Sequence, residues 1–279
     1  MRYHCALAAV SLACALPCST GAQSTLLAPR PDSAAIPDAA SLRAVETRGR
    51  ALADYDRVAW HGTDAVLALK PAAGEVALYV AYATPDGWAI AFGRFTASRD
   101  TLLIAYEALA RRGADSLAAR AVRPARADTG QLLRAARALA TARDSLGTPT
   151  RPYNLAVLPD TSGAWWVYAT PAPTVWGVWP AGGDTRFRVS SDGHAVLEAR
   201  RLHRAVWEFG AGGPTGEQTT SAGSHTHLLS DSVEDTDVFY VLAREPKVPE
   251  YIVSERWVFR LDPDGRVHYL GTPQAVLGR

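Results

Sequence analysis

Two histidines separated by a single residue and followed by several acidic residues form the pattern in this chain best suited to metal binding or catalysis. The segment GSHTHLLSDSVEDTD contains His225, His227, Asp235 and Asp237. Side chains two residues apart on a β-strand point to the same face, so both imidazoles can reach one cation. The two aspartates fall at the expected start of a helix, where the helix dipole favours anions. We therefore predict a metal site, with zinc as the expected ion, held by His225, His227 and either Asp237 or Asp235.

A zinc ion with three protein ligands keeps an open position for water, and a nearby carboxylate can then act as general acid and base. Glu208 and Glu198 are the candidates for this role. Glu208 shares the histidine face if the strand ending at Phe209 pairs antiparallel with residues 223–229, but a register slip of one residue would move it away. His203 has the opposite strand parity from Glu208, and we interpret it as a packing or surface residue.

The His-Thr-His strand end, the short loop, the Asp that opens a helix and the following hairpin together resemble the JAMM/MPN (JAB-like) metal-dependent peptidases. That family uses an HxH pair and an SxxD motif as zinc ligands, and an upstream Glu acts on the metal-bound water. The resemblance covers about residues 195–271. With the usual loop length, the Asp of the motif falls at Asp237 or Val238, and with a shortened loop Ser232 and Asp235 fit the motif. The resemblance implies zinc-dependent hydrolysis of peptide or isopeptide bonds.

Sulfur is confined to the start of the chain. Cys5, Cys14 and Cys18 are the only cysteines, and Met1 is the only methionine. If the first residues are removed, disulfide scaffolds, zinc ribbons, iron–sulfur clusters and thiolate nucleophiles are all excluded. The sequence also lacks the HExxH, GxSxG and Walker motifs, and GAGGPTG at 210–216 lacks the spacing of a dinucleotide fingerprint. Nitrogen and oxygen must therefore hold any metal.

Residues 1–22 have the features of a signal peptide, because a short apolar run at 6–16 precedes small residues and an expected cleavage before Gln23. We predict export to the periplasm or the medium. Lipoprotein anchoring through Cys18 or Cys14 is the less favoured alternative, because the preceding residues fit a lipobox poorly. No stretch reaches 18 apolar residues, so no transmembrane span is expected. The formal net charge of +1 argues against a nucleic-acid partner.

The patterning predicts an α+β fold built mainly from antiparallel hairpins. We divide the chain into a signal peptide at 1–22, a flexible leader at 23–40, an N-terminal α+β region at 41–147 and a C-terminal, mostly antiparallel β region at 153–279.

The N-terminal region is expected to begin with a helix at 41–60, which Gly62 ends or kinks. A hairpin is predicted around the Pro-Asp-Gly turn at 85–87, and a third strand at 100–108. Within the Arg-rich stretch that follows, the apolar residues at 132–139 predict an amphipathic helix of about 15 residues.

Turns at 191–193 and 262–265 predict antiparallel hairpins in the C-terminal region, and the segment 235–244 predicts a short helix. Tryptophans cluster at 165–166 and in the loop 171–183. We interpret them as core and loop anchors, with an exposed aromatic platform for glycans or peptides as the alternative.

Two functional hypotheses remain open. One is a JAB-like zinc-dependent hydrolase. The other is a non-enzymatic envelope or secreted binding module, which uses the Trp-rich loop at 171–183 to take a peptide, protein or glycan ligand. We favour the binding module, because an isolated HxH pair on a strand is more often two half-exposed histidines than a metal site. The sequence does not decide whether the chain is an enzyme.

Overall fold

The computed structural model describes residues 36–111, 117–210 and 221–278. The expected signal peptide, most of the leader, all three cysteines and residues 211–216 of the Gly-rich segment lie outside these ranges. Within them the chain forms four helices and 14 strands in mostly antiparallel sheets, which confirms the α+β prediction. None of the helices in these ranges combines the length and the apolar character needed to cross a membrane.

The first sheet is an antiparallel meander in which each strand pairs with the next along the chain. Its strands are β1 (Leu78–Thr84), β2 (Gly87–Phe95), β3 (Leu102–Arg111) and β4 (Ala118–Asp128). Thr84 pairs with Gly87 at the end of the first hairpin, so the turn predicted at 85–87 is confirmed. The predicted third strand is β3.

Helix α1 (Ala39–Leu67) runs past the predicted end near residue 60. Gly62 does not end it, because this glycine lies where the helix meets the first sheet. A Cβ atom at Gly62 would lie 2.6 Å from Cγ2 of Ile90, closer than real Cβ contacts allow. Helix α2 (Gln131–Leu146) confirms the predicted amphipathic helix and buries its Leu and Ala face.

The C-terminal region holds a second antiparallel sheet and a separate two-stranded ribbon. The sheet contains β5 (Tyr153–Pro159), β6 (Trp165–Pro171), β8 (Thr185–Val189) and β9 (Val196–Arg201). The ribbon pairs β7 (Val178–Gly182) with β10 (Val206–Gly210).

The last sheet has the order β11-β12-β13-β14. Its strands are β11 (Gly223–Thr226), β12 (Glu250–Val253), β13 (Val258–Leu261) and β14 (Val267–Gly271). The short helix predicted at 235–244 is α3 (Asp235–Ala243), and a last turn, α4 (Pro273–Leu277), follows β14. Because α3 forms a crossover between β11 and β12, these two strands pair in parallel. The antiparallel pairing of 223–229 with the strand ending at Phe209, which was the condition for Glu208 to share the histidine face, does not form between the described residues, because β10 and β11 belong to different sheets.

Two apolar cores hold these layers together. The larger core lies between α1, α2 and the two four-stranded sheets of the first 201 residues, and includes Tyr55, Ile90 and Val167. The smaller core lies between α3 and the last sheet. We expected a domain boundary at residues 148–152, but the larger core contains residues from both sides of this segment. No sheet formed by the described residues, however, combines strands from both sides of it. Helix α1 also packs on α3, with Gly49 at the closest approach.

Candidate metal centre

Four buried or nearly buried side chains from three segments converge at one point. They are His203 from the turn between β9 and β10, His225 and His227 at the end of β11, and Asp237 from the first turn of α3. One ligand atom from each residue lies within 4.8 Å of the ligand atoms of the others. This group could hold a metal ion.

Strand geometry places His225 and His227 on one face. The side chain of Thr226 between them is exposed, whereas both imidazoles point inward. His225 pairs with Ile252 of β12, and the amide of His227 donates to the carbonyl of Val253 at 2.9 Å, so the parallel ladder extends through both histidines. The period-two alternation of the sequence therefore operates here as predicted.

The start of α3 fixes Asp237. Glu234 is the N-cap residue and Asp237 is the third residue of the helix, and the two form a capping box. The amide of Glu234 donates to Oδ2 of Asp237 at 2.7 Å. This bond turns Oδ1 toward Nε2 of His203 and Nε2 of His225, at 3.0 and 3.2 Å.

The inward nitrogen atoms of the histidines and the Asp237 carboxylate lie close together. Nε2 of His227 lies 2.9 Å from Nε2 of His203 and 3.1 Å from Nε2 of His225. It also lies 3.2 Å from Oδ2 of Asp237. A tetrahedral zinc ion with bonds of about 2.0 Å separates its ligand atoms by about 3.3 Å. The three separations from His227 are close to that value, and one ligand atom from each of the four residues lies within 4.8 Å of the others.

Each imidazole is held from behind by an acceptor on its Nδ1 atom. The acceptors are Oδ1 of Asp184 for His203 at 2.7 Å, Oε1 of Glu250 for His225 at 2.8 Å, and the carbonyl of Ser232 for His227 at 2.8 Å. Nδ1 therefore carries the hydrogen in each neutral ring, and the Nε2 lone pair points inward. Three lone pairs and a carboxylate about 3 Å apart repel one another unless a cation lies between them.

Without a metal, protons are the cations that this group would take up. Burial alone would lower the pKa of His203, but the carboxylates of Asp184 and Asp237 outweigh it and raise that pKa well above its ordinary value. Burial would also lower the pKa of His225, but Asp237 and Glu250 outweigh this effect and raise that pKa. Burial would raise the pKa of Asp237, but the imidazoles around it hold it well below its usual range.

Asp235, predicted as an alternative ligand, does not belong to this group. Its Oδ1 binds Arg48 at 2.8 Å, and its Oδ2 binds Arg186 at 2.8 Å and the Tyr168 hydroxyl at 2.7 Å. Residues two positions apart on a helix point to different sides, unlike those on a strand. Asp237 therefore faces the histidines, whereas Asp235 faces α1 and the second sheet.

Glu208 and Glu198, the predicted acid–base residues, also lie outside the group. Glu208 is opposite Pro180 in the ribbon, and its half-exposed carboxylate lies 3.4 Å from Arg151. Glu198 is opposite Arg188 in the second sheet. The strand pairing that would have brought Glu208 to the histidines does not occur.

His203, which we interpreted from the sequence as a packing or surface residue, lies in this group. That interpretation assumed one strand over residues 194–209, but β9 ends at Arg201 and β10 begins at Val206. The intervening turn at 202–205 contains neither Gly nor Pro, so no turn signal marks the break.

Comparison of the chain with protein-family models, with curated proteins and with solved structures gave no significant match.

Proposed function

We propose that this protein binds one zinc ion through His203, His225, His227 and Asp237. The ion would cross-link three segments of the C-terminal half of the chain. The observation that carries this proposal is the convergence of four ligand atoms within 4.8 Å of one another, with an acceptor on the outer nitrogen, Nδ1, of every imidazole. Ligand histidines in metalloproteins are typically held by such outer acceptors.

The donor set favours zinc over other common ions. Three imidazole nitrogens and one carboxylate oxygen suit a borderline ion that accepts tetrahedral geometry. Calcium and magnesium prefer shells made of oxygen, and copper(II) and nickel(II) prefer tetragonal arrangements.

The closed ligand set supports a structural role for the ion. Catalytic zinc sites use three protein ligands and leave the fourth position to water, whereas structural sites fill all four. In this centre His203 takes that fourth position. The ion would join the β9–β10 turn, β11 and α3, which lie in separate parts of the chain.

The zinc content of the purified chain tests the proposal. After zinc loading and dialysis, the unaltered chain is expected to retain one zinc ion per molecule. The double variant His203→Ala with His227→Ala is expected to retain none, because two of four ligands are lost. His268→Ala is the matched control, because this exposed histidine binds Asp262, at 2.8 Å, on the protein surface and lies outside the candidate group. A zinc-free unaltered chain, or unchanged zinc in the double variant, would refute the proposal.

Zinc-dependent hydrolysis is a second candidate function. The HxH pair at the end of β11 and the Asp in the first turn of α3 support it, because JAB-like peptidases place their ligands in this order. His203 would then have to yield its position to water. The zinc-loaded chain is incubated with an isopeptide-linked fluorogenic substrate to test this function. Cleavage that is lost in His227→Ala supports it, and absence of cleavage leaves the structural role.

An exported binding module is a third candidate function, supported by an aromatic surface made of Trp60, Val175 and Trp176. Trp176 is 88% exposed and meets the half-exposed Trp60 edge to face, with ring centroids 6.1 Å apart. Exposed aromatic pairs of this kind are suited to contacts with glycans or peptides. In calorimetric titration with chito-oligosaccharides, Trp176→Ala is expected to abolish the binding heat, and Leu197→Ala, an exposed control on β9, to retain it. Equal heat in both variants would exclude the surface as a glycan site.

A further inference from the structure

A buried arginine lies behind the metal centre without touching any of its ligand atoms. The side chain of Arg244 is fully buried at the end of α3. Its guanidinium carbon lies 4.5 Å from the ring centre of Phe209 and 4.6 Å from that of Tyr240, so two aromatic rings contact the cation. Burying a charge is costly unless it is paired and hydrogen-bonded, so its partner matters.

The partner is Glu250, which also holds a ligand histidine. Nη1 of Arg244 donates to Oε2 of Glu250 at 2.6 Å, and Oε1 of the same carboxylate binds Nδ1 of His225 at 2.8 Å. Nη2 of Arg244 donates to the carbonyl of Val248 at 2.9 Å, which fixes the guanidinium plane. A Cβ atom at Gly223 would lie 2.0 Å from Oε2 of Glu250, so the carboxylate packs directly against the backbone at a position where only glycine leaves it room.

The charges around the centre also involve Arg244. Three carboxylates touch the group or lie within it: those of Asp184, Asp237 and Glu250. Arg244 is the cation that binds one of them. Three negative charges and one positive charge leave a balance of two negative charges, which a divalent cation neutralises.

We propose that Arg244 is a positioning residue for the metal centre. It acts through Glu250, which it holds in the orientation in which His225 presents its Nε2 atom to the ion. It also brings the charge around the centre to the value that a divalent ion neutralises. This inference rests on the proposed zinc function.

A double-mutant cycle on the full chain tests the proposal, with zinc affinity measured by competition with a chromophoric chelator. Arg244→Met keeps an apolar chain of similar length against the two rings and removes the charge, and we expect it to bind zinc about 10- to 100-fold more weakly. Glu250→Gln is expected to lose a similar factor. Because Arg244 acts through Glu250, the double variant should lose about as much as Glu250→Gln alone, and not the product of both losses.

The control variant is Arg256→Met, which removes a half-exposed arginine near Asp231 and should leave zinc affinity unchanged. Thermal unfolding of the zinc-free variants shows whether each one folds. If Arg244→Met does not fold, Arg244→Lys decides the question, because it keeps the charge and should bind zinc more tightly than Glu250→Gln.

Three outcomes would overturn the proposal. These are unchanged zinc affinity in Arg244→Met, losses that multiply in the double variant, and a Lys variant that binds no better than Glu250→Gln. Each of them leaves the zinc function intact if the unaltered chain still binds one ion. Failure of the unaltered chain to bind zinc instead removes the proposed function itself.

Discussion

Folding buries the carboxylate of Asp56 among apolar and aromatic side chains. It lines a cavity in the larger core together with Tyr55, Tyr79 and Phe239. Burial raises its pKa from the ordinary value to about 6. A carboxyl group whose pKa is raised by folding favours the folded state only while it is protonated. The stability it provides is complete below about pH 4 and is lost as the pH rises through about 6.

Asp56→Asn should therefore stabilise the protein at neutral pH. We expect the free energy of unfolding to rise by about 1–2 kcal/mol at pH 7.5 and to change little at pH 4, since the Asn amide carries no charge at either pH. Urea unfolding of the zinc-free protein at both pH values measures this. Asp54→Asn on the same helix, exposed and 3.5 Å from Arg57, should change stability by less than about 0.5 kcal/mol at both pH values. A similar gain at pH 4 would contradict the explanation.

The centre was predictable at the residue scale only where its parts are close in sequence. His225, His227 and Asp237 lie within 13 residues, and local alternation and helix-start chemistry point to all three. His203 and the acceptors Asp184 and Glu250 come from other parts of the fold. No local pattern specifies these partners, because tertiary packing brings them to the imidazoles.

At the scale of elements, α3 joins the metal centre to the rest of the fold. Asp237 in its first turn faces the histidines, and Asp235 binds Arg48 of α1, Arg186 of β8 and Tyr168 of β6. The Asp235 side chain is fully buried, and its ion pairs with the two arginines replace its contacts with water. One helical turn therefore docks against α1, the second sheet and the metal centre at once.

Asp235→Asn should be strongly destabilising. Breaking a buried ion pair costs about 3–5 kcal/mol, and here two arginines would lose their counter-charge. Chemical denaturation of the zinc-free protein measures the loss. Asp264→Asn, which removes an exposed partner of Arg266 at 3.2 Å, should cost less than about 0.5 kcal/mol. A loss in Asp235→Asn as small as that of the control would show that the network does not hold α3 in place.

The sequence predicted individual hairpins and helices better than it predicted how the strands pair and where the helices end. The turns at 85–87, 191–193 and 262–265 each contain Asp-Gly, and each joins two neighbouring antiparallel strands. The parallel pair β11–β12 was missed, because short strands separated by a helix carry no mark of their partner. The full length of α1 was missed because Gly62 signals a helix end locally, whereas here it permits close packing on Ile90.

At the scale of the whole molecule, the described residues form two apolar cores, and α1 contacts both of them. Leu52 and Tyr55 lie in the larger core, whereas Leu42 and Val45 pack against the smaller one. The three cysteines lie within the first 18 residues, so no disulfide can form within the described part of the chain. The smaller core has few apolar residues, and a bound ion would add a cross-link where burial is least.

Zinc should therefore raise the melting temperature, and by more at higher pH. The raised pKa values of His203 and His225 mean that protonation stabilises the zinc-free fold, and this contribution is lost as the pH rises through those values. Zinc competes with the same protons, so its stabilisation grows over that range. Thermal unfolding with zinc or with a chelator at pH 6, 7 and 8 measures the difference. His227→Ala should show none, and a difference independent of pH would contradict this account.

Trp207 lies close enough to the candidate metal centre for its fluorescence to report on a bound ion. Its ring lies 4.5 Å from the ring of His225 and 5.4 Å from that of His203. An open-shell ion such as copper(II) or cobalt(II) in the centre should quench the fluorescence of this tryptophan, whereas zinc, with its filled d shell, should not. Trp207→Phe should remove most of the quenched signal. Occupancy by a foreign metal can thus be followed in solution through a single indole.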